Sequence, residues 1–461
     1  MTSDADIERA FNDKKIFFEQ GQTKSYSFRI TQLKRLKNSI KKFEGDLLTA
    51  LHKDMHKAAM EAYISEVGFV YHEIAVTLKR LKRWMKPARV GTPLVLHPST
   101  SRVYPEPLGV VLIISPWNYP VNLSITPLIG AIAAGNCAII KPSNNTPNTV
   151  EVIERIVSDA FDSNYVSVVK GPGEMIGPRL IEKHPFNHIF FSGSPEVGKQ
   201  VMVMAAKHLT PVTLELGGKS PVIVDCSADI DISAKRIVWG KFFNAGQTCI
   251  CPDYLIVHHD VKDALLSCIK KYIVQFYGDN PEHSPCLTHI INEKRFNKLI
   301  GYLKDVHIVH GGRSSPAEKY IEPTVVDEIP ENHPLLKDEV FGPILPVLTF
   351  KNTEEVVQIV KKNGHPLSCY IFTKNKDFEK KLVKTIEFGG GCINNTIVHI
   401  ANPHLPFGGV GNSGMGRYHG KYSFDVFSNY KSIVKTSTLI DPMLKYPPYS
   451  ERKYKWIRRL M

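Results

Sequence analysis

The sequence predicts an α/β protein with mainly parallel sheets and more than one domain. A chain of 461 residues is longer than a single hydrophobic core supports. Beyond residue 108, helical patterns alternate with short apolar runs at 110–114, 138–140, 167–169, 188–191 and 221–224. Such continuous apolar runs indicate strands buried on both faces, which is typical of parallel sheets.

The chain before residue 108 is predicted to be helical. Between residues 30 and 51, apolar side chains recur at spacings of three and four with lysines on the other face, which predicts one amphipathic helix. A second helix is predicted from about residue 61 to residue 84, and it ends in the basic run at 79–83.

Residues 107–140 contain no charged side chain, which exceeds the roughly 20 residues that a membrane-spanning helix needs. Three prolines and three asparagines argue against a span, because proline breaks helices and unpaired amides are costly in lipid. We predict a buried strand at 109–115, a loop at 116–127, a short helix and a second strand at 137–141. This segment should lie at the centre of a large core.

The composition restricts the class and the partners of the protein. Apolar residues make up 43% and charged residues 22%, the balance of a globular chain. The formal net charge of +13 is compatible with nucleic acid, an anionic membrane or an anionic cofactor as a partner. Eight scattered cysteines and a polar, acidic beginning without a signal peptide favour a reducing cytoplasm.

A strand-to-helix turn at 188–198 is the first candidate binding motif. Ser194 suits an N-cap, and Gly193 allows a ligand close to the backbone, so the free N–H groups form a phosphate site. An ordinary capped helix explains this segment equally well by itself. Residues 409–414 match the G-x-G-x-x-G pattern, but no strand precedes them, and we predict a glycine loop near a site.

Two segments carry candidate catalytic side chains. Cys249 follows a small polar loop whose backbone N–H groups would favour the thiolate, although a buried structural cysteine is the alternative. Cys251 does not indicate zinc, because no second pair of ligands has the required spacing. Glu215 lies between leucines, which would raise its pKa towards that of a general base. A surface glutamate is the alternative for this position.

Six segments, in their order along the chain, resemble the aldehyde dehydrogenases. They are Pro116-Trp-Asn-Tyr-Pro120, Lys141-Pro-Ser143, the turn at 193–198, Glu215-Leu-Gly-Gly218, Asn244-Ala-Gly-Gln-Thr-Cys249 and Glu339-Val-Phe-Gly-Pro343. The resemblance covers nearly the whole chain. Residues 405–424 are similar to the class 3 branch, which includes fatty aldehyde dehydrogenases.

The resemblance implies an aldehyde dehydrogenase-like fold that assembles as a homodimer. The expected parts are a Rossmann-type cofactor domain at 1–87 and 107–214, an α/β catalytic domain at 215–420, a small β bridging element at 88–106 and 421–445, and a basic tail at 446–461. The bridging element would pair with that of a second chain by strand addition.

The resemblance also implies a mechanism. Cys249 would attack the aldehyde to give a thiohemiacetal, and its oxyanion would be held by the Cys249 N–H group and the Asn118 amide. Hydride transfer to the nicotinamide would leave a thioester, which water activated by Glu215 would hydrolyse to a carboxylic acid. The residues implied in cofactor binding are Lys141, Ser143, Asn144, Gly193, Ser194, Gly198, Glu339 and Phe341. Those implied in the substrate pocket are Tyr119, Trp239, Thr248, Asn394 and Phe407.

Asn144 departs from the family pattern, which has a glutamate that contacts the hydroxyls of the adenine ribose. A carboxylate there would repel a 2′-phosphate, whereas an amide does not. We therefore predict that the protein accepts NADP beside NAD, and no metal is implied.

The end of the chain bears on location. From residue 445 onward, the chain carries six basic and four aromatic side chains, which could bind an anionic membrane surface. We therefore predict a cytoplasmic protein that binds the membrane surface as a peripheral protein. A tail packed on the protein or frayed in solvent is the alternative.

Three other functions remain as alternatives. An acylating, CoA-dependent dehydrogenase would not need the hydrolytic base Glu215. A non-enzymatic protein that binds nucleic acid or membrane would use the positive charge, but no nucleic-acid module is recognisable. An inactive homologue is disfavoured by the presence of Cys249, Glu215 and Asn118 together.

Overall fold

The computed structural model describes residues 1–460 and confirms the α/β class with mainly parallel sheets. The α-helices are α1 (Asp4–Glu19), α2 (Tyr26–Lys42), α3 (Glu44–Met55), α4 (Ala59–Ala62), α5 (Gly68–Trp84), α6 (Asn122–Ala134), α7 (Pro147–Ala160), α8 (Gly173–Ile181), α9 (Pro195–Ala206), α10 (Ile230–Phe242), α11 (Lys262–Tyr277), α12 (Glu293–Gly301), α13 (Thr353–Lys361), α14 (Lys376–Thr385), α15 (Lys421–Val426) and α16 (Glu451–Leu460).

All five strands predicted from apolar runs are present. The strands are β1 (Ala88–Val90), β2 (Thr100–Pro107), β3 (Val110–Ile114), β4 (Cys137–Lys141), β5 (Val166–Val168), β6 (His188–Ser192), β7 (Val212–Glu215), β8 (Pro221–Val224), β9 (Tyr254–His258), β10 (His307–His310), β11 (Ser314–Ser315), β12 (Tyr320–Ile321), β13 (Thr324–Asp327), β14 (Ile344–Phe350), β15 (Ser368–Phe372), β16 (Gly390–Ile393), β17 (Gly414–Met415) and β18 (Ser428–Lys435).

The first large sheet has the order β17-β7-β6-β3-β4-β5, and all its strands except β17 run parallel. The chain proceeds outwards from β3 through β4 and β5, and then outwards on the other side from β6 through β7. The strand order therefore reverses between β3 and β6. In open parallel sheets, ligands bind beyond the carboxyl ends of the strands at such a reversal.

The second large sheet has the order β10-β13-β14-β9-β8-β15-β16, with only β10 antiparallel. A third sheet joins β1, β2 and β18 in antiparallel register. The strands of this sheet lie within 88–107 and 428–435, close to the expected bridging element. The assignment of the sheets to separate domains stays a prediction.

Both strands predicted in the charge-free segment 107–140 are present, but the prediction of a loop over 116–127 is wrong for its second half. α6 begins at Asn122 and contains Pro127. Glu66 caps this helix, because its carboxylate oxygen Oε2 accepts hydrogen bonds from the N–H groups of Val121 (3.0 Å) and Asn122 (2.9 Å). Burial of nearly every residue of α6, together with this cap, outweighs the cost of the proline.

The single helix predicted over 30–51 is also wrong. α2 ends at Lys42, and α3 begins at Glu44 after Phe43, whose φ and ψ of −104° and 14° are not helical. Two lysines close α2 and two acidic residues open α3, an arrangement that favours both helix dipoles. The apolar face is largely as predicted, since Leu33, Leu36, Ile40, Leu47 and Leu51 are buried and Phe43 is half-buried.

Within residues 1–460, no helix combines the length and the apolar character needed to cross a membrane. The charge-free segment 107–140 is instead folded into the first sheet and its covering helix α6.

Candidate active site

Cys249 ends an irregular loop that follows α10. Asn244, Ala245 and Gly246 have φ values of 54°, 51° and 70°, a left-handed conformation that costs energy for residues other than glycine. A Cβ atom at Gly246 would lie 2.3 Å from the carbonyl oxygen of Gly342. Only glycine therefore fits this turn, and the strained loop must be held by its surroundings.

Gln247 provides much of that support. Its side chain donates to the carbonyl oxygen of His289 (3.0 Å) and accepts from the N–H group of Ile291 (3.1 Å). Its own carbonyl oxygen accepts a hydrogen bond from Nδ2 of Asn118 at 3.1 Å. The structure thus places the buried amide of Asn118 against the loop, two residues before Cys249.

The surroundings of the Cys249 thiol act on its pKa in opposite directions. Burial, followed by the carboxyl groups of Glu339 and Glu215, raises the pKa of the Cys249 thiol, and the N–H groups of Cys249 and Ile250 oppose this rise. The backbone donors that the sequence suggests therefore favour the thiolate, but desolvation and two acidic neighbours outweigh them.

Glu215 closes β7 and is 6% exposed. Neither carboxyl oxygen has a hydrogen-bond partner among the described residues. Burial raises the pKa of the Glu215 carboxyl well above its ordinary value, and Arg417 opposes this only in part. The raised pKa predicted from the flanking leucines is confirmed, and the alternative of a surface glutamate is wrong.

The glycine loop lies beside Glu215, as predicted. β17 pairs with the end of β7, so that Gly414 is opposite Glu215. A Cβ atom at Gly408 would lie 3.0 Å from Oε1 of Glu215. The glycine at position 408 therefore leaves space for the Glu215 carboxyl group.

The turn after β6 has the predicted cap. Oγ of Ser194 accepts a hydrogen bond from the N–H group of Val197 at 3.4 Å. Cβ atoms at Gly193 and Gly198 would lie 2.5 Å from Phe191 and 2.7 Å from Leu216, so both positions need glycine for packing. The turn lies where the strand order of the first sheet reverses.

The segment after β4 presents a buried ammonium group. Lys141 is buried, and its Nζ donates to the carbonyl oxygen of Pro142 at 3.2 Å. Burial lowers the pKa of Lys141 to about 8. Ser143 is half-buried and accepts a hydrogen bond from the Asn145 N–H group (3.3 Å), whereas Asn144 is exposed.

Glu339 lies against a glycine pair. A Cβ atom at Gly217 would lie 2.1 Å from Oε2 of Glu339, so this contact requires glycine. Burial, followed by Asp253, raises the pKa of the Glu339 carboxyl to about 8. Phe341 has a φ of 47°, and its ring meets that of Trp117 edge-on at 5.5 Å. This contact joins the Glu339 segment to the loop that carries Asn118.

The predicted pocket residues have different surroundings. The Tyr119 hydroxyl is 2.6 Å from the Thr248 hydroxyl, and both side chains are buried beside the Cys249 loop. Trp239 is partly exposed on α10, and its ring packs against that of Phe243 at 5.6 Å.

Two other pocket candidates lie on different segments. The Asn394 side chain donates to the carbonyl oxygen of Thr373 (2.9 Å) and accepts from its N–H group (2.8 Å), so its amide is occupied by backbone. Phe407 is buried next to the glycine loop, with its ring 5.6 Å from that of Tyr418. That these five residues contact the substrate stays a prediction.

A buried ion pair behind the site was missed at the level of sequence. Nζ of Lys57 lies 3.1 Å from Oε1 of Glu66, with both side chains 0% exposed, and it also donates to the carbonyl oxygen of Asn118 at 3.2 Å. Glu61 accepts a hydrogen bond from the N–H group of Asn244 at 3.1 Å. The sequence contains one indication of this pair: Glu66 lies four residues before the buried Val70, so it is a charged residue on the apolar face of the predicted helix.

Replacing Lys57 by methionine should destabilise the protein by about 3–5 kcal/mol, because it leaves the Glu66 charge buried without a partner. The midpoint of urea unfolding measures this loss. Lys53→Met, at an exposed position near the end of α3, is the control and should change little. Equal midpoints for the two variants would contradict the role of the buried pair.

Comparisons with known proteins agree with this geometry. The model of the aldehyde dehydrogenase family matches residues 1–433. The 4,4'-diaponeurosporen-aldehyde dehydrogenase of Staphylococcus aureus is 47% identical over 98% of each chain. Aldehyde dehydrogenase family 3 member B1 of Mus musculus is 42% identical over 94% of this chain and 93% of its own length.

Solved structures show the same architecture. The substrate-bound state of Staphylococcus aureus AldH superposes with a TM-score of 0.96 at 47% identity, covering 100% of this chain and 99% of that one. The NAD-dependent aldehyde dehydrogenase of Sinorhizobium meliloti has a TM-score of 0.86 at 28% identity, covering 96% and 89%. The fold, the arrangement of the site and these relatives lead to one conclusion: the chain belongs to the aldehyde dehydrogenase family and is an oxidoreductase that acts on aldehydes.

Proposed function

We propose that this enzyme oxidises medium- and long-chain aliphatic or aromatic aldehydes to carboxylic acids, with a thiohemiacetal and then a thioester on Cys249. The observation that carries the proposal is the buried, unpartnered carboxyl group of Glu215, which is close enough to raise the pKa of the Cys249 thiol. A nucleophile and a hydrolytic base are the two groups that such a sequence of steps requires.

The chain supplies the nucleophile and the oxyanion donors. The Cys249 thiol loses its proton and its sulfur bonds to the carbonyl carbon, and the oxygen then carries the negative charge. The N–H group of Cys249 and the Asn118 amide stabilise that charge; one hydrogen of the amide is used on the loop, and the other is free. Bound nicotinamide supplies the acceptor for the hydride that leaves the thiohemiacetal carbon.

Glu215 completes the reaction. Its carboxylate takes a proton from water, the hydroxyl oxygen bonds to the thioester carbon, and the bond to sulfur breaks to release the carboxylic acid. The base must be ionised for this step. Because burial raises the pKa of Glu215, the rate of hydrolysis should increase as the pH rises through that value.

The residues at the reversal of the first sheet fit a dinucleotide. The Ser192 hydroxyl is buried there without a hydrogen-bond partner, and Lys141 offers a buried ammonium group with donors to spare. The N-terminus of α9 at Gly193 and Ser194 suits a pyrophosphate. We propose NAD or NADP as the cofactor, with Ser143, Asn144 and Gly198 beside Lys141 and the turn, and Glu339 and Phe341 at the nicotinamide end.

A substitution at Asn144 tests whether the enzyme accepts NADP as well as NAD. Because Asn144 is exposed and uncharged, NADP should be accepted. Asn144→Glu should lower kcat/KM for NADP by about tenfold, since a carboxylate repels the 2′-phosphate, and should spare NAD. Asn145→Glu, at the exposed neighbouring position, is the control. A wild-type preference for NAD of several hundredfold would contradict this prediction.

A spectrophotometric assay tests the proposed reaction. Hexanal, hexadecanal and benzaldehyde are offered with NAD or NADP, with and without CoA, and the absorbance of the reduced cofactor is followed. We expect turnover without CoA and formation of the free acid. Turnover that depends on CoA would favour the acylating alternative, and no turnover with any aldehyde would overturn the proposal.

We propose that the basic tail brings this cytoplasmic enzyme to anionic membranes. α16 exposes Tyr454 and Trp456 beside several basic residues, and it lies against the exposed apolar residues 94–96. Aromatic and basic side chains together bind the surface of anionic bilayers. The full chain should therefore sediment with phosphatidylserine vesicles severalfold more than a chain ending at residue 445. Equal sedimentation would contradict the proposal.

We also propose a homodimer. β18 is an exposed edge strand of eight residues, which invites pairing with a second chain. Sedimentation equilibrium should give twice the chain mass of 51.9 kDa, and the mass of a single chain would contradict this assembly.

A further inference from the structure

Three metal-ligating side chains meet behind the Cys249 loop. One ligand atom each from His56, His289 and Glu318 lie within 4.8 Å of one another. The rings of His56 and His289 stack with centroids 4.2 Å apart, and the ring of His52 is 5.1 Å from that of His56. These residues come from α3, from the segment before α12 and from the turn before β12, so no sequence motif links them.

The backbone fixes two of these side chains beside each other. The N–H group of His289 donates to the carbonyl oxygen of Met55 at 2.8 Å. His56 follows directly and ends α3 with a φ of 53°. A left-handed residue commonly ends a helix in this way. The fold therefore places the backbones of His56 and His289 beside each other.

His289 provides a second, independent indication. It is 9% exposed, and its Nδ1 atom is buried without a hydrogen-bond partner. An unpartnered buried nitrogen is costly, and a ligand is one means of satisfying it.

We propose that His56, His289 and Glu318 form a binding site for a divalent transition metal ion of the zinc class. Two imidazoles and a carboxylate are a ligand set that Zn²⁺ and Co²⁺ accept, with water in the remaining position. The two rings stack with an angle of 21° between their planes, so at least one ring must rotate about its side-chain torsions to turn a nitrogen towards the shared ion. The ammonium group of Lys319 lies near both rings and weakens the site without removing it.

The site is connected to the loop of Cys249 by a short path. The carbonyl oxygen of His289 accepts the hydrogen bond from Gln247, which holds the strained turn at Asn244 and Ala245. A bound ion would fix His289 and so reduce local opening of that loop. This inference does not depend on the proposed reaction.

Cobalt titration of the full-length Cys249→Ala variant tests the site, because this variant lacks the thiol of the neighbouring loop. We expect one Co²⁺ per chain, with visible bands of nitrogen and oxygen ligation and no intense thiolate band. His56→Asn, which tolerates the left-handed backbone, and Glu318→Gln should each weaken binding by at least about tenfold. His72→Asn, at an exposed histidine on α5, is the matched control and should bind as the parent does.

The results of the titration distinguish binding at the proposed site from binding of the ion elsewhere on the protein. Unchanged affinity in His56→Asn and Glu318→Gln, an intense thiolate band, or no binding at all would each overturn the proposal. Hydrogen exchange of residues 244–249 should become slower when Co²⁺ is bound, and unchanged exchange would overturn the connection to the loop.

Discussion

Replacing Cys249 by alanine is expected to lower kcat/KM for every aldehyde by about 10⁴-fold or more, because no other group can form the covalent intermediate. Binding of aldehyde and cofactor should persist, since the alanine side chain is smaller and the loop is held by Gln247 and not by the thiol. Cofactor reduction measured with wild type and variant at matched concentrations gives the ratio. A loss of less than about tenfold would assign the chemistry to another residue.

Cys226→Ala provides the control for this substitution. Cys226 is an exposed free thiol, and its loss should leave the rate unchanged. The pH profile adds a second readout. Because burial, Glu339 and Glu215 raise the pKa of the Cys249 thiol, the attacking thiolate becomes more abundant as the pH rises. The rate of the acylation step in wild type should therefore increase with pH, and a rate that falls with pH would contradict thiolate attack.

Replacing Glu215 by glutamine is expected to slow thioester hydrolysis by roughly 10²–10⁴-fold, the usual contribution of a general base. The earlier steps do not use this base. The variant should therefore form about one equivalent of reduced cofactor per active site in a rapid burst and then turn over slowly. Stopped-flow absorbance measures the burst, and mass spectrometry of the quenched protein should show the acyl group on Cys249.

The exposed Glu331→Gln substitution is the matched control and should show wild-type turnover. The absence of a burst together with slow turnover would mean that Glu215 acts before the thioester forms. Wild-type turnover in Glu215→Gln would remove it from the mechanism. The first result differs from the expected one in the burst amplitude, and the second differs from it in the steady-state rate.

Glu215 also makes a prediction about stability. Its folded-state pKa is raised above the ordinary value of 4.5, so the protonated form stabilises the fold below that pH. This contribution is lost as the pH rises through the raised folded-state pKa, because a buried charge then has no partner. Above that pH, Glu215→Gln should have a higher Tm than wild type, whereas the exposed control Glu331→Gln should not.

Much of the fold could be predicted from local patterns. The five apolar runs predicted strands that are all present, and Ser194 caps its helix as its sequence context indicates. The errors share a cause. Pro127 lies inside a helix and Phe43 breaks one, because a cap from Glu66 and the opposed helix dipoles decide these ends. These interactions join residues far apart in the chain or depend on how two helices meet.

In the candidate site, too, some features could be predicted from the sequence and others depend on tertiary contacts. Ordered motifs predict roles for Cys249, Glu215 and Asn118, and the flanking leucines indicate the raised pKa of Glu215 that burial produces in the structure. The motifs could not show that the Asn394 amide is occupied by Thr373. They also could not show that burial and the carboxyl groups of Glu339 and Glu215, which are distant in sequence, raise the pKa of the Cys249 thiol.

The sequence by itself determined the α/β class and the family, because these depend on local periodicity and on residue types in a fixed order, and it predicts Cys249 as nucleophile and Glu215 as base. Only the tertiary structure decided which groups surround the Cys249 thiol, the buried pair of Lys57 and Glu66, and the meeting of His56 with His289. The physical reason is that desolvation and electrostatic interaction depend on distance in space. The separation of two residues along the chain does not reveal their distance in space.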